Sequence, residues 1–272
     1  MSNPYGAGDS RRTRPTEAGP DEVAALLVAT IRQQLGDAVR SVIGHGSWVH
    51  GDFAVGRSDL DILVVLRADP TPTLIGRMTP ALDGIIEKYP HWRDRLELGF
   101  VSREAVADVL AGVGGRKVAR VSPGEPLHLV AADSHRLLDW EAARRGRRLD
   151  GESPASVLPS ISLDVIRAVA RAQLDEWPAW IRGVEAAGPD GFDIQAYAAL
   201  TVSRAFALTS TGELLSKRQA GAWARARFPE WAALTGWASD RWYHPRQTPT
   251  APPEGHSVER FVTDVANAAP PA

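Results

Sequence analysis

The sequence contains no cysteine and only two methionines among its 272 residues. Without cysteine the chain cannot form disulfide bonds, thiolate nucleophiles or cysteine-based zinc sites. No apolar stretch reaches the roughly 18 residues that a membrane-spanning helix needs. The polar N-terminus, rich in Gly, Pro and Arg, lacks the apolar centre of a secretory signal. We therefore expect a cytoplasmic protein without a membrane partner, and disorder over residues 1–20.

An excess of either charge is also missing. The chain carries 31 Lys and Arg against 33 Asp and Glu, a formal net charge of −2. Proteins that bind nucleic acid over a broad surface generally need clustered basic residues to neutralise phosphates, so no nucleic-acid partner is expected. The one strong basic run, Arg144–Arg148, is interpreted as a solvated helix end, with a polyanion contact as the alternative.

The clearest chemical signal lies between Val42 and Leu66. An apolar run ends at Gly46 and Ser47, and a second apolar run begins around Asp59 and Asp61. In an extended strand, side chains two positions apart point the same way, so the two aspartates share one edge. Adjacent carboxylates repel one another, and Mg²⁺ favours carboxylate and phosphate oxygens. The alternative is a hairpin with a solvated aspartate pair on its rim.

The glycine and serine supply the other half of this pattern. Gly46 lets the backbone approach a phosphate, and Ser47 can add a hydroxyl donor beside the free N–H groups of a helical turn. Together with the aspartate pair, the turn predicts a site for a nucleoside triphosphate and two Mg²⁺ ions.

This ordered set resembles the signature of the polymerase-β-type nucleotidyltransferase superfamily, in which a Gly-Ser turn is followed by D-x-D on the next strand. The resemblance implies a third carboxylate on a later strand, and Glu97 is the candidate. Alternation over Arg95–Val101 places Glu97 on the face opposite Leu96 and Leu98. By its local pattern alone, Glu97 would be an ordinary exposed residue of a half-buried strand.

The fold class predicted for the chain is α+β, with an N-terminal polymerase-β-type nucleotidyltransferase α/β domain over 21–155 and an all-α helical bundle over 156–272. In the first domain, strands are predicted at 40–43, 60–66 and 95–101, and helices at 21–35, 73–88 and 102–110. The stretch 112–126 is predicted to be irregular, 127–149 to be helical and 151–159 to be a linker. Beyond residue 162 the pattern is helical, with helices at 162–184, 194–209, 216–227 and 229–242 and one more possible at 255–266.

A second resemblance lies in the helical half. L-T-x-S-R at 200–204, T-G at 211–212, Lys217 and W-A at 223–224 are together similar to the C-terminal domain of the aminoglycoside (3'')(9) adenylyltransferases, the streptomycin and spectinomycin resistance family. The resemblance implies that Lys217 contacts the phosphates, that Arg204 supports them and that Tyr243 lies near ATP. By their local context, Arg204 could form an internal ion pair and Tyr243 could end a helix as an aromatic plug.

These features predict an adenylyltransferase, monomeric, that transfers AMP from ATP to a hydroxyl of a small molecule, most simply an aminoglycoside. Asp59 and Asp61 would hold the metal ions, while Glu97 would act as general base or share a metal. Gly46 and Ser47 would bind the terminal phosphates. Alternatives are transfer to another metabolite or to a protein, and a non-catalytic nucleotide-binding regulator.

The acceptor is predicted less sharply. A polycationic drug would be bound by acidic residues opposite the triphosphate. Asp190 and Asp193 are the candidates because they lie shortly before the L-T-x-S-R helix. Neither aligns with the family's drug-contacting Asp without a shift of at least one residue. No equivalent of the Trp that streptomycin-modifying members place against the drug is found between Val121 and Asp139. These departures leave streptomycin and spectinomycin open as acceptors.

Overall fold

The computed structural model describes residues 18–185 and 191–271, apart from the side chain of Glu185. Most of the segment predicted to be disordered lies outside these residues. Its end does not: Ala18 is buried, and its carbonyl accepts a hydrogen bond from the indole N–H of Trp92 (3.0 Å). The packed part of the chain therefore begins a few residues earlier than predicted.

Six strands and eleven α-helices, with four short 3-10 helices, make up the regular structure of the described residues. The strands are β1 (Val39–Gly44), β2 (Leu60–Leu66), β3 (Leu96–Ser102), β4 (Lys117–Ser122), β5 (Glu125–Ala131) and β6 (Arg147–Gly151). The helices of the first domain are α1 (Pro20–Leu35), α2 (Gly46–Val49), α3 (Pro72–Lys88), α4 (Arg103–Leu110), α5 (Leu137–Arg144) and α6 (Pro154–Val157). The helices of the second domain are α7 (Leu163–Glu185), α8 (Phe192–Thr211), α9 (Lys217–Arg227), α10 (Ala232–Tyr243) and α11 (Val258–Ala268).

The strands form one mixed sheet in the order β5-β4-β3-β2-β1-β6. β2 and β3 are parallel, and their register places Asp61 directly opposite Glu97. The other neighbouring pairs are antiparallel. The parallel pair therefore brings together two acidic residues that are far apart in sequence.

Two sequence predictions were wrong at the edges of this sheet. The stretch 112–126 was predicted to be irregular, yet it contains β4 and the start of β5, joined through Pro123 and Gly124. Gly124 has a φ of +75°, so the Pro-Gly pair forms a tight hairpin turn of the kind that needs glycine in the left-handed region. Pro123 and Gly124 do interrupt regular structure, but the interruption is a turn between two paired strands.

The predicted helix over 127–149 was also wrong at both ends. Helical structure there is limited to a 3-10 turn at Ser134–Arg136 and α5, flanked by β5 and β6. Both strands lie at the sheet edges, where just one side chain of β5, Leu127, is buried. Such strands lack the alternation of buried and exposed residues that identifies a strand from sequence.

The basic run is likewise divided between two elements. α5 ends at Arg144, while Arg147 and Arg148 begin β6. The guanidinium of Arg147 lies 4.0 Å from the centre of the Trp48 ring in α2. Part of the run is thus packed against the Gly-Ser turn instead of ending a solvated helix.

The sheet is covered on both faces. α1 and α3 pack on one face over a core that includes Leu27, Met78 and Phe100. The opposite core combines sheet residues such as Leu63 and Val65 with Trp140 of α5 and residues of the second domain, among them Ile166 of α7 and Leu208 of α8. Because this core continues across both domains, the helical domain packs directly on the sheet.

The helical domain has a core of its own, in which α8 is central. Ala-rich positions of α8 let α7, α9, α10 and α11 approach closely, and Phe206, Trp231, Trp237 and Phe261 fill the space between them. The fold class predicted from the sequence is confirmed: a mixed α/β domain precedes a helical domain. No helix of residues 18–185 and 191–271 is long and apolar enough to cross a membrane.

Candidate active site

Three carboxylates meet at one end of the parallel strand pair. Asp61 and Glu97 are cross-strand neighbours, and Asp59 precedes β2 on the same face. Burial, then the charges of Glu97 and Asp59, raise the pKa of Asp61 well above its usual range. Burial also raises the pKa of Asp59, against the opposing effect of Lys217. The structure thus joins the three predicted carboxylates in a cluster that is costly to keep fully ionised.

Gly46 brings the Gly-Ser turn into contact with this cluster. Its φ is +66°, and a Cβ built on it would lie only 1.9 Å from Oδ2 of Asp61. Any other residue would collide with the carboxylate. Ser47 follows Gly46 in α2, the predicted helical turn. Glycine is therefore what allows the predicted phosphate turn to touch the predicted metal ligand.

Asp59 is positioned by the neighbouring strand. The guanidinium of Arg95 donates two hydrogen bonds to the carbonyl of Ser58, at 2.7 and 3.2 Å. Leu60 N–H in turn donates to the carbonyl of Arg95 (2.9 Å). Arg95 itself stacks on Trp92, 4.6 Å from the ring centre. The backbone on either side of Asp59 is thereby fixed to β3.

Lys217 reaches this site from the helical domain. Its Nζ lies 4.5 Å from the ring centre of Tyr197 and 4.4 Å from that of Trp242, so two aromatic faces hold the ammonium group. Burial, with the nearby charge of Arg204, lowers the pKa of Lys217 to about 8, while Asp59 opposes the shift. The predicted phosphate-binding lysine therefore does stand opposite the carboxylates, partly desolvated.

Arg204 lies on α8 between Lys217 and the sheet. Its Nε donates to the carbonyl of Leu215 (3.0 Å), which supports the segment leading into α9. Its positive charge also opposes the rise that burial causes in the pKa of Asp139. Arg204 thus faces the cleft between the domains, and its contact with phosphates stays a prediction.

Tyr243 has a protein partner in this structure. Its hydroxyl donates a 2.6 Å hydrogen bond to Oδ2 of Asp52, a buried residue shortly after the Gly-Ser turn. The predicted contact of Tyr243 with ATP is not tested by this geometry. The interdomain bond was not foreseen, because nothing in the sequence marks Asp52 as a partner of α10.

Of the two predicted acceptor-binding aspartates, Asp190 lies outside the described residues. Asp193 accepts a hydrogen bond from Arg241 (2.7 Å) and forms an ion pair with Arg57 (3.0 Å). Its charge is therefore balanced by two arginines, one from each domain. Both arginines contact Oδ1 and 47% of the side chain is exposed, so its contact with an acceptor stays a prediction.

Sequence reasoning missed two charged residues of the site, Asp139 and Arg120. Arg120 of β4 pairs with Gly99 of β3, two residues beyond Glu97. Burial raises the pKa of Asp139 to about 6, against the opposing charges of Arg204 and Arg120. No local signal could have identified either residue, since Arg120 lies on β4, which was not predicted, and Asp139 approaches Glu97 only because α5 packs on the sheet.

These residues set the electrostatics around Glu97. Burial, followed by the charges of Asp139 and Asp59, raises the pKa of Glu97 to about 7. A cavity of about 40 Å³ adjoins Glu97 and is also lined by Arg120 and Asp139. It has room for a few water molecules only, so a larger acceptor would lie at its open mouth. Glu97 is thus a carboxylate that can take up a proton near neutral pH.

No group of three or more His, Asp or Glu side chains within the described ranges stands close enough to form a metal site as it is. The donor chemistry nevertheless suits a hard divalent cation. Asp61 and Glu97 are neighbours whose charges oppose one another, and a cation between them would relieve that repulsion. The residues present therefore fit Mg²⁺.

Comparison with known proteins extends this picture. Residues 156–268 match the family model of the aminoglycoside adenylyltransferase C-terminal domain. The structure is similar to a crystal structure of spectinomycin adenyltransferase AAD(9) from Enterococcus faecialis with ATP and spectinomycin. The TM-score is 0.70 at 17% sequence identity, over 91% of this chain and 98% of that chain. A search of curated protein sequences gave no significant match.

The two matches confirm the family resemblance indicated by the sequence. The family match covers the helical domain, and the structural match covers both domains. Residues 156–268 therefore match the aminoglycoside adenylyltransferase C-terminal domain, and the two-domain fold of the chain is similar to that of the AAD(9) structure.

Proposed function

We propose that this protein transfers AMP from ATP to a hydroxyl group of an aminoglycoside-type antibiotic in a Mg²⁺-dependent reaction. The observation that carries the proposal is the convergence of Asp59, Asp61 and Glu97 from the sheet with Lys217 from the helical domain. Acidic metal ligands on one side and a lysine on the other suit a triphosphate that carries several negative charges.

The chain's own residues have separate tasks. Gly46 and Ser47 would bind the terminal phosphates, and Asp59 and Asp61 would hold Mg²⁺. The bound metal supplies charge neutralisation on the phosphates. Lys217, with a pKa of about 8, is still mostly protonated at neutral pH and places positive charge near the departing pyrophosphate.

Glu97 is suited to accept the proton of the attacking hydroxyl. The acceptor oxygen forms a bond to the α-phosphorus, and the bond from that phosphorus to the bridging oxygen breaks. Pyrophosphate leaves with the bond electrons, and the hydroxyl proton passes to Glu97. Burial and the neighbouring carboxylates raise the pKa of Glu97 to about 7, and a bound Mg²⁺ would oppose that rise, so the role of Glu97 as the base rests on its place beside Asp61.

The acceptor class is supported by the family of the helical domain and by the spectinomycin bound to the similar AAD(9) structure. Asp139 could attract a cationic acceptor at the mouth of the cavity. Arg120 and Arg136 line the same cavity, which favours a second candidate: a small hydroxylated metabolite without a high positive charge.

The test is incubation with ATP, Mg²⁺ and a panel of aminoglycosides together with spectinomycin. We expect pyrophosphate release and a mass gain of one adenylyl group on at least one compound. Asp61→Asn and Glu97→Gln should abolish both signals. Asp264→Asn is a matched control, because Asp264 accepts a hydrogen bond from Trp231 within the helical domain, and it should retain activity.

Pyrophosphate release without modification of any antibiotic would favour the metabolite. Full activity in Asp61→Asn and Glu97→Gln would contradict the assignment of this site.

A further inference from the structure

Asp52 is a buried carboxylate of the first domain whose partners belong to the second. Only 8% of its surface is exposed. Oδ1 accepts a hydrogen bond from Nε of Arg218 (3.1 Å), and Oδ2 accepts from the Arg218 backbone N–H (3.3 Å) and the Tyr243 hydroxyl (2.6 Å). Both carboxylate oxygens are thus engaged across the domain boundary.

The partners of Asp52 also fix one another. The guanidinium of Arg218 stacks on the Tyr243 ring, 3.7 Å from its centre. Ser216 caps α9 through a reciprocal capping box with Gln219, and its hydroxyl side chain contacts Asp52 as well. The Asp52 carboxylate therefore forms hydrogen bonds with both the first turn of α9 and the last turn of α10.

This contact lies between the two halves of the proposed triphosphate site. On one side, Asp52 N–H donates to the carbonyl of Ser47 (2.9 Å), so Asp52 is bonded to the Gly-Ser turn. On the other side, its partner Arg218 is the residue immediately after Lys217. One side chain thereby connects the turn that would bind phosphates with the lysine that would bind them from the opposite domain.

The hydrogen bonds to Asp52 favour its ionised form. Although burial opposes ionisation, the hydrogen bonds from Tyr243, Arg218 and Ser216 lower the pKa of Asp52 below its usual value. The side chain of Arg218 is 55% exposed, so solvent screens its charge and the ion pair adds little by charge alone. The contribution of Asp52 therefore lies mainly in geometry.

We propose that Asp52 is a positioning residue for ATP: it fixes the start of α9, and so Lys217, at a set distance from the Gly-Ser turn. The proposal rests on the proposed function, in which both groups contact the triphosphate. Asp52 does not touch the reacting atoms, and it acts through Lys217. Displacement of a phosphate-binding group by about 1 Å is enough to impair such a site.

The test compares Asp52→Ala, Asp52→Asn and Tyr243→Phe with the wild type. Because Asn keeps a carbonyl oxygen that can accept the Arg218 N–H bond, it should rescue part of the defect of Ala. We expect the KM and the calorimetric Kd for ATP in Asp52→Ala to rise by about tenfold, the scale of losing hydrogen bonds to a charged group. The KM for the acceptor should change little. Tyr243→Phe, which removes one donor, should give a smaller rise.

The Asp264→Asn control should leave both ATP constants unchanged. Wild-type values of KM and Kd for ATP in folded Asp52→Ala and Asp52→Asn would overturn the proposal, whether or not the enzyme modifies an antibiotic. Equal loss of ATP and acceptor affinity would also overturn it, because that pattern indicates general disorder of the domain contact. ATP binding can be measured without an acceptor, so failure of this proposal can be distinguished from failure of the proposed function. In the latter case the wild-type protein would bind ATP but transfer no adenylyl group to any acceptor.

Discussion

Replacing Gly46 by alanine tests how closely the Gly-Ser turn must approach Asp61. A Cβ at this position would lie 1.9 Å from Oδ2 of Asp61, whereas real Cβ contacts essentially never fall below 3.0 Å. The turn and the carboxylate must therefore separate by at least 3.0 − 1.9 = 1.1 Å. Displacement of about 1 Å at a reacting centre can cost about 100-fold in rate. We expect kcat/KM for ATP to fall by at least that factor in Gly46→Ala.

The same substitution carries a second cost that a control can remove. Gly46 has a φ of +66°, and an alanine in the left-handed region costs about 1–2 kcal/mol. Gly112 has a φ of +70° with nothing within 4 Å of a built Cβ, so Gly112→Ala has the strain without the collision. In a chain of this length, both variants should lose about 2–4 °C in Tm per kcal/mol. The assay is pyrophosphate release at varied ATP, alongside thermal unfolding. Activity of Gly46→Ala within about threefold of Gly112→Ala would refute the close approach of turn and carboxylate.

Three further predictions concern the lysine, the metal and the domain contact. Lys217→Ala should lower kcat/KM for ATP by about 10²-fold, since the positive charge facing the departing pyrophosphate is lost; Trp242→Ala, which removes one of its two aromatic walls, should give a smaller loss of up to about tenfold. Equal activity of both variants and the wild type in steady-state kinetics would contradict these roles. Chelation by EDTA should abolish transfer, and added Mg²⁺ should restore it, as followed by pyrophosphate release; activity that survives exhaustive chelation would exclude the metal. Leu208→Ala should lower the free energy of unfolding by about 2–5 kcal/mol, because Leu208 is buried in the core shared by the sheet and the helical domain; urea unfolding with an unchanged midpoint would contradict a shared core.

Much of the site could be predicted because its residues lie on elements with strong periodicity. β2 and β3 are central strands with buried apolar runs, so their bounds were predicted closely. Alternation placed Asp59 and Asp61 on one face of β2 and Glu97 on the face of β3 opposite Leu96 and Leu98, and the family resemblance singled out Glu97 as the third carboxylate. Their meeting needs only the parallel pairing of two neighbouring strands.

The rest depended on contacts between distant segments. Arg120 lies on β4 and approaches Glu97 through the strand order, and Asp139 lies on α5 and approaches it through the packing of α5 on the sheet. Asp52, Asp193 and Tyr243 meet their partners only through docking of the two domains. The local sequence pattern does not indicate which residues of the two domains will contact one another. The sequence therefore predicted carboxylates that the structure brings together, and it missed the contacts between the two domains.

The most direct test of adenylyl transfer is to follow the position of a radiolabel in ATP. The wild-type enzyme is incubated with Mg²⁺, spectinomycin or another accepted antibiotic, and ATP labelled at either the α- or the γ-phosphorus. We predict that the α-label appears in the modified antibiotic and that the γ-label appears in pyrophosphate. Transfer of the γ-label to the antibiotic, or retention of the α-label in ADP, would contradict adenylyl transfer.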